Sequence, residues 1–196
     1  MKIAISGSSG YIGNRLLQKA KNNGFDTIEL RRNKPKSPRS QWIKYDISNN
    51  YFIEFPKDVD IFFHLAATTS TVNFDIDQEI RSASMLIESA NKVGAHFVFI
   101  SSQTAQPDAP TQYGKAKWRI ERVVMGAKGT IIRPGQVYGG SENGLFGLLS
   151  RALRISPVIP RFIPEPKIQP IHIDDLVDAM LSTPVILKRS SAIYCL

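Results

Sequence analysis

The segment Gly7-Ser8-Ser9-Gly10-Tyr11-Ile12-Gly13 follows directly on the apolar run Lys2–Ser6. It opens a stretch, Tyr11–Asn23, in which Ile12, Leu16, Leu17 and Ala20 recur at helical spacing. A strand, spaced glycines and a helix in immediate succession constrain the fold more than any other feature of the chain. Gly7 permits the tight turn off the strand, Gly10 lets backbone approach an anion, and Gly13 lets the helix pack close to the strand. The unpaired N–H groups and positive dipole of the helix start then face that anion. A glycine triplet alone is a weak signal, but in this setting it reads as the pyrophosphate loop of a dinucleotide-binding unit.

The rest of the chain repeats the alternation. Thr27–Arg31, Val59–Leu65, His96–Ser101 and Gly129–Arg133 read as strands, with Asp75–Val93 and Thr111–Met125 as helices between them. The near-continuous apolar character of IFFHL and FVFIS suits strands covered on both faces. Repeated βαβ units specify an α/β fold with a doubly wound parallel sheet of the Rossmann type. After Arg133 the texture changes: RPGQVYGG is turn-rich, and Leu145–Ile155 reads as a helix. Pro157, Pro160, Pro164, Pro166 and Pro170 then exclude helix interior and central strand. IHIDDLVDAML reads as a short strand and a helix capped by Asp174 or Asp175. A boundary near residue 135 follows, with a dinucleotide-binding domain over 1–135 and a short substrate-side lid over 136–196.

Charge narrows the partners. Lys and Arg number 25 against 17 Asp and Glu, a formal net charge of +8. Arg31, Arg32, Lys34, Lys36 and Arg39 concentrate that excess in one Pro-interrupted run, which reads as an exposed loop. Nucleic acid, a membrane surface or a phosphorylated small ligand are its candidate partners. No aromatic interleaving or recognition motif accompanies the run, so nucleic acid is not expected. Cys195 is the single cysteine, which excludes an intramolecular disulfide framework and any multi-cysteine zinc site. His64, His96 and His172 lack metal-ligand spacing and are expected to be structural hydrogen-bonders, with no metal site. No signal peptide or membrane-spanning run is visible, which predicts a soluble, cytoplasmic protein without a membrane partner.

The end of the second strand carries a further discriminating residue. An acid there usually holds the ribose 2′-hydroxyl of NAD. Here the strand ends at Arg31, which pairs with a 2′-phosphate rather than accepting from a hydroxyl. Glu29, on the strand itself, is a less well placed acceptor. NADP(H) is therefore expected to be preferred over NAD(H), with Arg31 and Arg32 as phosphate partners.

Tyr113 and Lys117 share one face of the third helix at i,i+4, and Ser101-Ser102 closes the preceding strand. A free phenol near pKa 10 is a poor base at neutral pH, and a neighbouring ammonium favours its phenolate. Tyr113 can then exchange the hydroxyl proton while hydride moves. Ser102 is expected to hydrogen-bond the same oxygen, and Lys117 to reach the ribose. Thr68, Thr69 and Ser70 follow a strand C-terminus, where open α/β sheets bind ligands. Trp118 reads as packing or a subunit contact.

GSSGYIG, HLAA at 64–67, ISS at 100–102, YGKAK, RPGQVYG at 133–139 and IHIDD at 171–175 stand in a fixed order. Together they resemble the extended short-chain dehydrogenases/reductases of the NAD-dependent epimerase/dehydratase type, which act largely on nucleotide sugars. The resemblance covers essentially the whole chain. It implies a nicotinamide cofactor, a catalytic set of Ser102, Tyr113 and Lys117, and Asp46 and Ile47 beside the adenine. Further cofactor contacts are implied at Gly7, Ser9, Gly10, Tyr11, Ile12, Gly13, Leu65, Ala66, Ala67, Lys117 and Pro134. The substrate implied is a nucleotide sugar, with a homodimer left open.

Four departures qualify what the resemblance implies. Arg31 replaces the usual acid, and Gln103-Thr104 stands where sugar dehydratases carry Asp-Glu, so dehydration is not expected. The loop between Ser102 and Tyr113 is short, and so is the segment after Arg133. Either another chain completes the pocket, or the substrate is smaller than a nucleotide sugar, or catalysis is degenerate. The leading expectation is an NADP(H)-preferring ketone reductase or an epimerase. The phosphorylated cofactor is usually spent as a reductant, which favours reduction. The alternative is a cofactor-binding regulator or sensor with little catalysis.

Overall fold

Every residue of Ile61–His64 and His96–Ile100 is buried, as strands covered on both faces must be. The computed structural model describes residues 1–35, 41–49, 52–68, 74–140, 144–155, 163, 168–182 and 191–196. Along the chain these form β1 (Lys2–Ser6), α1 (Tyr11–Asn22), β2 (Asp26–Arg31), β3 (Gln41–Lys44), β4 (Ile61–His64), α2 (Ile76–Lys92) and β5 (His96–Ile100). There follow α3 (Gln112–Gly126), β6 (Thr130–Arg133), β7 (Gln136–Tyr138), α4 (Gly144–Ile155), β8 (Pro170–His172), α5 (Ile173–Met180) and β9 (Ala192–Cys195).

The main sheet has seven strands in the order β3-β2-β1-β4-β5-β6-β9, and every pairing is parallel. Strand order runs outward in one direction from β1 and in the other from β4. A crevice therefore opens at their C-terminal ends, where this architecture binds ligands. Alternate residues of the strands feed two cores. Ala4, Ile28, Leu30, Phe62, Phe97 and Phe99 pack with Leu86 of α2 and with Ile120 and Val124 of α3. Ile3, Ile5, Ile61, Phe63, Val98 and Ile100 pack with Leu16 and Ala20 of α1 and with Leu176, Val177 and Met180 of α5. Each such large side chain contributes about 1.5–3 kcal/mol by leaving water.

Three short strands went unread in the sequence. β3 and β9 are four-residue edge strands, and β7 has three residues paired in parallel with β8 in a separate two-stranded sheet. Such strands carry too little alternating pattern to be distinguished from loop. Two elements from the expected lid segment join the dinucleotide-type unit: α5 lies in its core, and β9 extends its sheet beside β6. The crowded prolines 157, 160, 164 and 166 lie outside the described residues, as do Lys36, Arg39, Thr69 and Ser70, while Pro170 opens β8. No helix among the described residues is long and apolar enough to cross a membrane.

Helix starts are capped locally. The Asp75 side chain accepts from Gln78 N at 3.0 Å, and Thr111 Oγ1 accepts from Gly114 N at 3.1 Å. The expected cap of α5 by Asp174 or Asp175 is corrected: His172 is the N-cap residue, and its Nδ1 accepts from Asp174 N at 3.3 Å. Asp174 turns outward to Arg15 Nε at 2.5 Å, and Asp178 meets Lys19 Nζ at 2.9 Å, so ion pairs join α5 to α1.

Candidate functional site

The crevice holds a cavity of about 680 Å3. Its wall includes the glycine loop from Gly7 through Ser9, Gly10, Tyr11, Ile12 and Gly13, and at one end Arg31, Arg32, Tyr45, Asp46 and Ile47. Leu65, Ala66, Ala67 and Thr68 form the middle, and Ser102, Tyr113, Lys117, Pro134 and Gln136 the far end. The residues expected from the sequence to hold a cofactor or act in catalysis thus meet in one cavity.

The loop is built for close approach. Gly7 has φ +71°, and a Cβ there would stand 2.8 Å from Ala66 N. A Cβ at Gly13 would collide with the carbonyl oxygen of Gly7, so the contact that requires this glycine is with the loop rather than with the strand. Gly10 caps α1 without a side chain, leaving the first-turn N–H groups facing the cavity region. Ser6 Oγ ties the neighbouring strand ends together. It lies 2.7 Å from His64 Nδ1 and accepts from the N–H groups of Leu65 and Ala66 at 3.2 and 3.3 Å. Burial, helped by the charge of Lys117, pushes the His64 imidazole down to about 3, so it is a neutral hydrogen-bonder. His96 pairs with Thr130 at 2.8 Å.

At the far side of the loop, Glu29 is buried and engaged. Its carboxylate meets Lys21 Nζ and Arg31 Nη1, each at 3.2 Å. Arg31 Nε is buried and finds no partner among the described residues, and Trp42 Nε1 donates to the Arg31 carbonyl at 3.2 Å. Ser8 Oγ is likewise buried without a partner among them. A glycine cradle, an uncapped helix start and an orphaned guanidinium N–H on the cavity wall together fit a nicotinamide dinucleotide.

The other end is organised by α3. Thr111 caps the helix so that Tyr113 lies in its first turn and Lys117 one turn on. Gly114 lets this turn seat against the preceding loop, where a Cβ would stand 2.6 Å from the Thr104 carbonyl oxygen. Lys117 is buried, donates to the Ile100 carbonyl at 2.8 Å, and stands 4.5 Å above the Phe99 ring and 5.5 Å from the Tyr113 ring. The expected lowering of the phenol pKa is corrected: burial, and then the charge of Glu79, push Tyr113 up to about 12. Burial likewise pushes Lys117 down to about 8, although Glu79 and Glu121 oppose that shift. Ser101 donates to Glu121 Oε1 at 2.5 Å, whereas Ser102 shares its hydrogen with Thr104 Oγ1 at 2.9 Å and keeps its place on the cavity wall.

Glu121, Gln169 and Glu79 were missed in the sequence. Glu121 lies i+4 from Lys117, a spacing that was available, and its carboxylate takes Arg133 Nε at 2.8 Å. Gln103 Nε2 donates to Gln169 Oε1, joining the loop after β5 to the segment before β8. Glu79, on α2, is buried, and its Oε1 accepts from Thr68 N at 2.9 Å; no local signal marks it. Among the described residues no group of three or more His, Cys, Asp or Glu could hold a metal ion.

Residues 3–184 match the NAD dependent epimerase/dehydratase family. The chain is 24% identical over 197 residues to a ceramide reductase of Caulobacter vibrioides, covering 94% of this chain and 62% of that protein. It is 24% identical over 192 residues to the mitochondrial NADH dehydrogenase [ubiquinone] 1 alpha subcomplex subunit 9 of Dictyostelium discoideum, covering 91% of this chain and 54% of that protein. The chain thus spans little more than half the length of these relatives. Its fold is similar to that of MoeE5, solved in complex with UDP-glucose and NAD, at 20% identity and a TM-score of 0.79, with all of this chain and 76% of that one aligned.

Proposed function

From the premise that the chain belongs to the NAD dependent epimerase/dehydratase family, we propose that it is a nicotinamide-dependent oxidoreductase acting at a carbinol or ketone carbon. In this reading NADP(H) is preferred to NAD(H), and the reaction runs as a ketone reduction. The observation that carries it is the meeting of the glycine loop, Arg31, Ser102, Tyr113 and Lys117 on one cavity wall. The loop and the start of α1 hold the pyrophosphate, and Arg31 with Arg32 holds a 2′-phosphate. Glu29, engaged by Lys21 and Arg31, is not free to accept from ribose. When bound, the dinucleotide supplies the hydride.

Tyr113 gives its phenolic proton to the carbonyl oxygen as that oxygen becomes a hydroxyl, and Ser102 donates to the same oxygen. A phenol held at about 12 begins the cycle protonated, which suits a proton donor better than a base. Gln103 and Thr104 carry no acid for removing water, so dehydration is not part of the proposal. The substrate proposed is a nucleotide-linked keto sugar, the ketone counterpart of a nucleotide sugar such as the UDP-glucose bound by MoeE5.

The test is NADPH consumption by the purified protein with a panel of nucleotide-linked keto sugars, beside Tyr113→Phe. Turnover that disappears in Tyr113→Phe supports the reading, and turnover that survives it rejects Tyr113 as the proton donor. The second reading is a cofactor-binding component with little catalysis. The likeness to an NADH dehydrogenase subunit favours it. Tight NADPH binding without turnover of any carbonyl in the panel would select it.

A further inference from the structure

Two buried carboxylates act on Lys117, and their circumstances differ. Glu121 is spent: Arg133 takes both of its oxygens and Ser101 donates to one of them. Glu79 is 5% exposed, and no cation among the described residues stands within ion-pair distance of it. Its hydrogen-bond partner is the N–H of Thr68, at 2.9 Å, and Thr68 lines the same cavity as Tyr113. The position early in α2 favours a negative charge, because the helix N-terminus carries a positive dipole. α2 packs directly against α3, the helix that carries both Tyr113 and Lys117.

We propose that Glu79 is a positioning residue that keeps the Tyr113–Lys117 pair loaded with protons and so sets the site to work as a proton donor, in the direction of reduction. This inference rests on the proton-donor reading of Tyr113 given above. A buried charge without an ion-pair partner acts over a longer range than a paired one, because little water or counter-charge screens it. Its sign makes the phenolate dearer and the ammonium cheaper, so both members hold their protons to higher pH. Burial raises Tyr113 and Glu79 adds to that rise, while burial lowers Lys117 and Glu79 opposes that fall. The other titratable groups around the pair do not do this work. Glu121, on the same helix, raises only Lys117 of the two and is neutralised by Arg133. His64, from β4, is neutral with its Nδ1 engaged by Ser6. β5 offers the pair the Ile100 carbonyl, which accepts from Lys117, and the Phe99 ring under the ammonium, neither of which titrates.

The test uses Glu79→Gln, which keeps an oxygen for the Thr68 N–H and removes the charge, with Glu79→Asp to restore it. The first measurement is the ultraviolet phenolate signal of Tyr113 in the protein without substrate, obtained by subtracting Tyr113→Phe in each background. In the wild-type protein little Tyr113 phenolate is expected up to about pH 10.5. In Glu79→Gln the signal should move to lower pH, by the smaller part of the total rise because burial remains, and Glu79→Asp should move it back. The second measurement is the pH dependence of NADPH-driven reduction, whose alkaline limb should fall to lower pH in Glu79→Gln with the same direction of recovery. An unmoved Tyr113 titration in a Glu79→Gln protein of wild-type circular dichroism overturns the proposal. The first measurement needs no turnover. A wild-type protein that proves inactive therefore counts against the oxidoreductase reading, while the titration still decides the role of Glu79.

Discussion

Glu121 of α3 takes both arms of the Arg133 guanidinium, with Nε at 2.8 Å and Nη2 at 2.5 Å, beside the end of β5. The carboxylate is 4% exposed and the arginine side chain 26%, so the pair is far from a surface ion pair. It fixes the helix that carries Tyr113 and Lys117 to the strands whose ends line the cavity. Replacing Arg133 with Met strands a buried carboxylate and should cost about 3 kcal/mol of unfolding free energy. Urea denaturation at neutral pH measures it, and a loss below about 1 kcal/mol would show that water satisfies Glu121.

Tyr113→Phe removes one oxygen at the far end of the cavity from the glycine loop. Turnover should fall by a factor on the order of 100 to 10,000, while the dissociation constant for NADPH changes by less than about threefold. Fluorescence titration and initial rates separate the two quantities.

Arg31→Ala should weaken NADPH binding roughly tenfold to a hundredfold, since a charge-assisted hydrogen bond to phosphate contributes about 1.5–3 kcal/mol. NADH, without the 2′-phosphate, should be nearly indifferent to the change. Equal losses for both cofactors would place Arg31 in general scaffolding rather than in phosphate recognition.

His64 links stability to pH. Its folded-state value of about 3 lies below the ordinary histidine value of 6.5, because the buried site admits only the neutral ring. Stability from this source is complete above about pH 6.5 and is lost as pH falls toward 3. Between pH 7 and pH 5 the loss should be about 2 kcal/mol. His64→Asn should flatten the dependence; an unchanged slope of unfolding free energy over that interval would move its origin to other groups.

The parts of the site written in contiguous sequence were legible before any coordinates. Gly7, Gly10 and Gly13 act through their own turn, and Tyr113 and Lys117 meet through helical spacing alone. Arg31 could be placed because strand ends can be counted from the glycine loop. Glu79 and Glu121 were invisible for a different reason. An acid becomes buried only when remote elements close over it, and here those are Thr68, Arg133 and Ser101. The same non-local burial reversed the expectation for the Tyr113 phenol, which had been reasoned from its neighbour Lys117 alone. β9 was missed because an edge strand is defined by its partner β6, and four residues carry no pattern of their own.

The strand order has a consequence for how the site is assembled in time. β1 precedes the other strands of the sheet in the chain and is one of the innermost, with Ile3 opposite Thr27 on one side and Ile61 on the other. The parallel β1–α1–β2 unit closes on nearby residues, and it already carries the glycine loop and Arg31. The Tyr113 end needs β4, β5 and α3, which follow later in the chain and pair over longer stretches of it, a slower search. The half with the glycine loop and Arg31 can therefore form before the half with Tyr113 and Lys117. A dinucleotide present during refolding has a surface to act on while the second half is still being gathered.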